Sequence, residues 1–445
     1  MTRNKRINKV ITGLFLLLLF IGITDSCAED EKTSEPLELV TIWNAPYING
    51  QGSGLDFSSA PDTVQIQRRG FEKGMTAYKG DIVVEECIIS EAEAFEDVVE
   101  YLASVYNNRN IVMSVGASSD IMTMYTAMES TFFNISYLIP FSDGDLLAEG
   151  PQGYTVRLTV TGQKYADYIG SEILPVNTKD LINNVLFENK TIPNYSVTAA
   201  VFFMDNFNDH ETAVGITQRL IDNGIDIQYH MAYPSGGLLT TLAKCMEDSL
   251  NALPDIDVVI LIGEDHDPIP DLPDILKLWA NKRIPPSIIV IGYDPKSYPS
   301  EVRAADNLYL LDQSIDWTNC PSDIVNFEEA SGYAAGYLTM KVLDEVKKNQ
   351  PEKPHGLSYW LKTDTQKAED LQMYWDNFRA DVWTKLAGVN DTIPCYGDLR
   401  LNATSGNNSK LELYSVNESG ILDKADPGEI FERILSRKRA QFGLQ

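Results

Sequence analysis

Short apolar runs alternate with longer amphipathic stretches along most of this chain, and they do so in two series. In the first, strand-like runs at 39–43, 82–84, 111–115 and 135–139 are separated by helical patterns over 63–78, 92–106 and from Ser119 onward. In the second, a helical pattern over 163–173 and an irregular stretch lead to strand-like runs at 196–203, 225–229, 258–262 and 288–291. Helical patterns over 210–223, 237–250 and 271–281 lie between these runs. A strand that returns through a helix comes back parallel to the one before it, and the helices cover both faces of the sheet. The two series therefore predict an α/β chain of two doubly wound, Rossmann-like lobes with parallel sheets. Such sheets take ligands at the carboxyl ends of their strands, so two lobes facing each other by those edges make a clamp.

The tail departs from this rhythm. Residues 326–348 and 365–386 read as long amphipathic helices, and 398–401 with 410–416 as a hairpin around the polar loop 402–409. Residues 427–441 read as a last helix, with Pro427 at its start and a basic end that suits the helix dipole.

The first 26 residues read as a leader. Arg3, Lys5, Arg6 and Lys9 precede an apolar run from Val10 to Ile23, shorter than the ~20 residues that span a bilayer. Ser26-Cys27 follows. Bacterial lipoprotein signals end at such a cysteine, whose thiol carries diacylglycerol, so Cys27 is the expected lipidation site and start of the mature chain. Thr24-Asp25 departs from the usual Leu-Ala/Ser pair, and the other reading is an ordinary secretion signal with an incidental cysteine. Residues 27–37 are polar and acidic without periodicity and read as a solvated tether. An acidic run here resembles the surface-export tags of Bacteroidota lipoproteins; a plain linker is the alternative.

The mature chain of just over 400 residues is too long for one core and suits two lobes. A formal charge of −28 opposes nucleic-acid binding, which needs Lys and Arg to replace released counterions. It equally opposes peripheral attachment to anionic lipid, so the lipid at Cys27 is the expected membrane anchor. Of the remaining cysteines, Cys87 lies in a strand-like run and Cys245 in a helical one, while Cys320 and Cys395 lie in loop-like sequence beside prolines. None has the spacing of a zinc site, and an oxidising compartment would permit Cys320 and Cys395 to pair.

Arg69-Gly70-Phe71-Glu72-Lys73-Gly74, Val115-Gly116-Ala117-Ser118-Ser119, Ile139-Pro140-Phe141-Ser142, Tyr154-Thr155-Val156-Arg157-Leu158 and Asp257-Val258-Val259-Ile260-Leu261-Ile262 occur in an order that spans nearly the whole mature chain. In that order and spacing the chain resembles the type-1 periplasmic binding proteins. It resembles in particular their branched-chain amino acid-binding branch, which shares its fold with the extracellular domains of natriuretic-peptide receptors. The resemblance implies three crossings between lobes, placed near Arg157, near 310–312 and near 395–398. Lobe 1 would then hold 38–157 and 312–394, and lobe 2 would hold 158–311 and 395–445. It implies closure over a small polar ligand, amino acid-like or related, for an ABC-type permease or a sensor, with no cofactor.

Within that frame Ser118 and Ser119 are the expected ligand anchors, because Gly116-Ala117 frees the backbone and unpaired N–H groups open the next helix. One serine capping the helix is the plainer reading. Ser142 and Asp143 follow the next strand, where Asp143 would balance a cation. From the opposing lobe come Phe207, Glu264 and Tyr293, each just past a strand. Glu264 begins a dense acidic loop with Asp265, His266 and Asp267 that lacks the spacing of a calcium loop. No nucleophile elbow, phosphate-binding loop or zinc-protease helix is present in the sequence, so a binder is expected rather than an enzyme. A surface adhesion or scaffold lipoprotein without a ligand is the main alternative, and a hydrolase using Ser118, Glu264, Asp265 and His266 the remoter one.

Overall fold

The computed structural model describes residues 37–45, 62–78, 82–90, 95–107, 110–117, 120–141, 153–187, 196–205, 207–233, 256–263, 272–278, 284–291, 305–349, 353–354, 356–402, 406–416 and 422–443. Cys27, residues 28–36 of the tether and the helix expected over 237–250 lie outside them, while Leu37, expected to close the tether, is the first residue of a strand.

The first series forms a five-stranded sheet. Strands β1 (Leu37–Ala45), β2 (Ile82–Ser90), β3 (Ile111–Gly116), β4 (Ser136–Ile139) and β5 (Thr155–Arg157) lie in the order β2-β1-β3-β4-β5, all parallel. Helices α1 (Asp62–Tyr78), α2 (Phe95–Tyr106) and α3 (Asp120–Phe132) connect them. Every residue of β3 and β4 is buried, as befits strands covered on both faces.

After β5 come α4 (Gly162–Tyr168), continued by a wide helical turn over Ile169–Ile173, and α5 (Thr178–Phe187), a helix inside the stretch that reads as irregular. Strands β6 (Thr198–Met204), β7 (Asp226–Tyr233), β8 (Val258–Ile262), β9 (Ser287–Ile291) and β10 (Leu308–Gln313) pair in parallel, with α6 (Phe207–Asp222) and α7 (Leu272–Leu278) among their connections.

The chain then returns to the first lobe through α8 (Phe327–Asn349), α9 (Gly356–Trp360) and α10 (Asp364–Ala387). Leu338, Trp375, Phe378 and Val382 join Val112, Val115 and Leu138 in one apolar core. Helix α8 lies backbone to backbone on α1. A Cβ at Gly70 or Gly74 would overlap the carbonyl oxygen of Glu329 or Tyr333, and one at Gly332 or Gly336 that of Gln67 or Phe71. The pairing 70 with 329 and 74 with 333 makes the two helices parallel. Buried Glu329 accepts from Arg69 Nε at 3.0 Å and Lys73 Nζ at 2.8 Å across the same contact.

Strands β11 (Asn390–Ile393), β12 (Gly397–Asn402) and β13 (Gly406–Asn407) form a small antiparallel sheet, and β14 (Leu411–Val416) and β15 (Leu422–Lys424) extend the second sheet to β15-β14-β10-β9-β8-β6-β7. The hairpin expected between 398–401 and 410–416 therefore does not form. β12 pairs with β11 and β13, while β14 pairs antiparallel with β10, because each strand's apolar face fills a different core. Leu399 and Leu401 belong to the first core and Leu413 to the second. The third crossing accordingly lies between β12 and β14, later than 395–398, and the boundary expected at 394/395 falls inside the β11–β12 hairpin. Near the other two expected crossings, Leu158 belongs to the first core and Val160 to the second, and β10 ends at Gln313.

The last helix, α11 (Pro427–Phe442), starts from an Asp426–Glu429 capping box with Pro427 in its first turn and ends at Gly443 in the left-handed region. Lys438 Nζ reaches buried Asp257 at 2.8 Å, and Arg437 Nη2 donates to Ile256 O at 2.6 Å. Both contacts tie α11 to the amino end of β8.

Candidate functional site

Of the seven expected ligand residues, Ser118, Ser119, Ser142, Asp143, Glu264 and Tyr293 lie outside the described residues. Phe207 opens α6, and its side chain is outside them too. What the structure describes is the framework from which they extend. β3 ends at Gly116, β4 at Ile139, β6 at Met204, β8 at Ile262 and β9 at Ile291. Each expected residue thus follows the carboxyl end of a parallel strand by two to four positions, the edge at which open α/β sheets bind ligands.

The turn that leads to Ser118 is held from below. Gly116 has φ 119, a backbone conformation suited to glycine, and Ala117 after it is fully buried. Buried Tyr137, on β4, donates its phenolic hydrogen to the carbonyl of Gly116 and accepts from the N–H of Ala117 at 3.0 Å. Burial pushes its ionisation well above the ordinary tyrosine range, so it remains a donor at any physiological pH. One side chain therefore fixes both faces of the last peptide before the serines.

The opposing edge is pinned in the same manner. Tyr233 Oη at the end of β7 donates to Ile262 O at 3.0 Å, and Asp205 N donates to Tyr233 O at 2.7 Å. His210, in the first turn of α6, stacks edge-on against Phe203 and His230, with centroids 5.5 and 6.3 Å apart. Among the described residues no three His, Cys, Asp or Glu groups gather as a metal site.

Between the lobes, one amide joins all three crossings. Gln313, on the second, accepts from Val160 N at 3.1 Å and donates to Leu158 O at 3.2 Å on the first, and to Ser409 Oγ at 3.1 Å on the third. Its neighbour Asp312 is buried, accepting from Gln313 N at 2.6 Å and from Tyr165 Oη at 3.4 Å. Nearby, Asp316 N donates to Cys395 O at 2.8 Å, and Cys320 and Cys395 form a disulfide. Closing a loop of 75 residues in this way is worth about 4 kcal/mol by chain-entropy arguments. Tyr396, beside it, bonds Ser331 Oγ at 3.1 Å, and burial pushes its phenol up to about 12. Gln313, Tyr137 and the disulfide hold the framework from which the expected site residues extend. Of these, only the cysteine pair shows as a pattern in the sequence.

No family model matches the chain, and no curated protein matches it. Solved structures do. A leucine-binding protein of Thermotoga maritima is similar at 10% identity over 87% of this chain and 97% of its own, with TM-score 0.58. A solute-binding protein of an ABC transporter from R. palustris, in complex with benzoate, aligns at 12% identity over 88% and 96%, with TM-score 0.59. A branched-chain amino acid transporter substrate-binding protein of Streptococcus pneumoniae, in complex with isoleucine, aligns at 10% over 88% and 100%, with TM-score 0.53. At these identities the likeness is one of fold, and it extends across both lobes.

Proposed function

We propose, from the type-1 periplasmic binding protein fold that this chain adopts, that it is an extracytoplasmic solute-binding protein that captures a small polar ligand by closing two lobes. The observation that carries this reading is the convergence of three separate segments between the two cores. Three crossings meet at one side chain, Gln313, and the parallel strands that could hold a ligand end on either side of it. Ser118, Ser119, Ser142 and Asp143 would meet the ligand from the first lobe, and Phe207, Glu264 and Tyr293 from the second. The structures bound to isoleucine and benzoate both hold carboxylates, and N–H groups at the start of a helix after Gly116 would suit such a group. Lipid at Cys27 would tether the clamp on the periplasmic face or the outer surface, raising its concentration beside an ABC permease or a sensor. No catalytic step is assigned to it.

Tryptophan fluorescence during titration with amino acids, amides, peptides, nucleosides and sugars tests the reading. One class is expected to give a saturable change. Ser118→Ala and Glu264→Ala should each weaken it about tenfold or more, from the ~1.5–3 kcal/mol of a charge-assisted hydrogen bond. Silence across all classes would overturn the binder and favour a ligand-free scaffold, and product formation would reveal an enzyme. Cys27→Ser should release the protein from membranes; persistent association would overturn the anchor.

A further inference from the structure

Leu357, Trp360 and Leu361 are 64%, 56% and 76% exposed. At i, i+3 and i+4 they share one face of α9 and the turn after it. Three large apolar side chains exposed within one helical turn make a contiguous apolar patch, the kind of surface that marks a contact site.

The elbow lies at the pole of the first lobe away from the cleft. Helix α8 runs with α1, and α10 returns against it, with Lys385 Nζ 3.4 Å from Glu345. On α10, Arg379 Nε donates to Ile111 O at 3.0 Å, at the amino end of β3. From Arg379 back to Asp364 the helix extends about 22 Å at 1.5 Å per residue. Strand β1 begins at the same edge, Glu38 opposite Ile111. The residues from Cys27 to Leu37 can span at most about 35 Å. A plane touching the elbow is therefore within reach of a lipid on Cys27.

We propose that the face formed by Leu357, Trp360 and Leu361 is a membrane-contact surface, seated in the interfacial layer of the bilayer to which the chain is tethered. The proposal rests on the tethered reading above. A partner that senses lobe closure has to touch both lobes near the cleft, whereas this face belongs to one lobe and does not change when the lobes move. Its charges are balanced locally, Lys362 with Asp370 and Lys367 with Asp364, so it escapes the repulsion that the remainder of a −28 chain would meet at anionic lipid. The ring of Trp360 already takes an ammonium, Lys367 Nζ at 5.4 Å from its centroid, the chemistry an ethanolamine headgroup would offer. Tryptophan and leucine at headgroup depth are what an interfacial helix uses.

The test uses residues 28–445 with an N-terminal histidine tag, held on vesicles of phosphatidylethanolamine and phosphatidylglycerol by nickel-chelating lipid. This tether does not depend on Cys27. Lipids brominated on their chains are expected to quench the wild type, and Trp360→Phe or the triple change Leu357→Ser, Trp360→Ser, Leu361→Ser should return quenching to the level of untethered protein. All three side chains are exposed, so folding is preserved, and circular dichroism checks it. Equal quenching of wild type and Trp360→Phe would overturn the proposal. So would a dimer that the triple change dissociates while vesicles leave the emission unchanged, since a second copy would then be the occupant. Fractionation of Cys27→Ser reports separately on the anchor.

Discussion

Asp316 receives hydrogen bonds from Thr318 Oγ1 at 2.6 Å and Asn319 Nδ2 at 2.5 Å, and these hold its carboxyl below the usual aspartate range. A depressed folded value means that the ionised form is favoured by folding. The contribution is complete above the ordinary value near 3.9 and is lost as pH falls through the lowered one. Denaturant midpoints measured from pH 6 down to pH 3 should therefore fall less steeply for Asp316→Asn than for the wild type; superimposable profiles would refute the assignment. At this scale the sequence is a partial guide. Gly116 announces a turn wherever it occurs, because its need is local. Tyr137 and Gln313 carry no such mark. Tyr137 matters because β4 lies beside β3, and Gln313 because three segments distant in sequence converge on it, and neither fact exists in a window of neighbouring residues.

The helix pair α1–α8 yields an opposed pair of outcomes. Gly332→Ala drives a methyl into the carbonyl of Gln67, a backbone atom that cannot turn aside, and should cost about 1–3 kcal/mol or more as an overpacked contact. Gly215→Ala on α6 meets only the Cβ of Ala166 at 3.7 Å, an ordinary contact, and should gain ~0.5–1 kcal/mol by removing backbone freedom from the unfolded chain. Thermal melts of the two variants should thus move in opposite directions. A shared sign would show that the helices part more easily than their contact implies. The alternation of 2- and 3.6-residue periods made many of the elements legible, among them β1 to β4, β6 to β9, α8, α10 and α11, while β5, β10 and the short α9 did not show. It failed for α5, whose surroundings lack a clear rhythm. It failed again where 398–401 and 410–416 looked like partners, because proximity in sequence favours a hairpin until each strand's apolar face is matched to its own core.

For the molecule as a whole, Gln313 bonds three segments between the two cores, and under the proposed function it would set how firmly the lobes are held when no ligand spans them. Gln313→Ala removes links to both other crossings, each worth about 1 kcal/mol. Small-angle scattering of the unliganded variant should report a larger or broader distribution of sizes, and affinity for whatever ligand the titrations identify should fall several-fold. A wild-type scattering curve and affinity would remove the residue from the hinge. The two-lobed plan was legible because the β-α rhythm occurs twice. The exact place of the third crossing was not, since it depends on which core Leu399 and Leu401 choose. The interlock of α1 with α8 joins residues 260 apart, Arg69 to Glu329, and between them the chain encodes the parallel strands β6–β10 of the second sheet. As the polypeptide emerges, the bare glycine face of α1 must wait until those strands have been made, and β14, β15 and α11 of the second lobe follow later still, so neither lobe is completed in one continuous piece and the interval before α8 arrives is when a nascent copy most needs an escort.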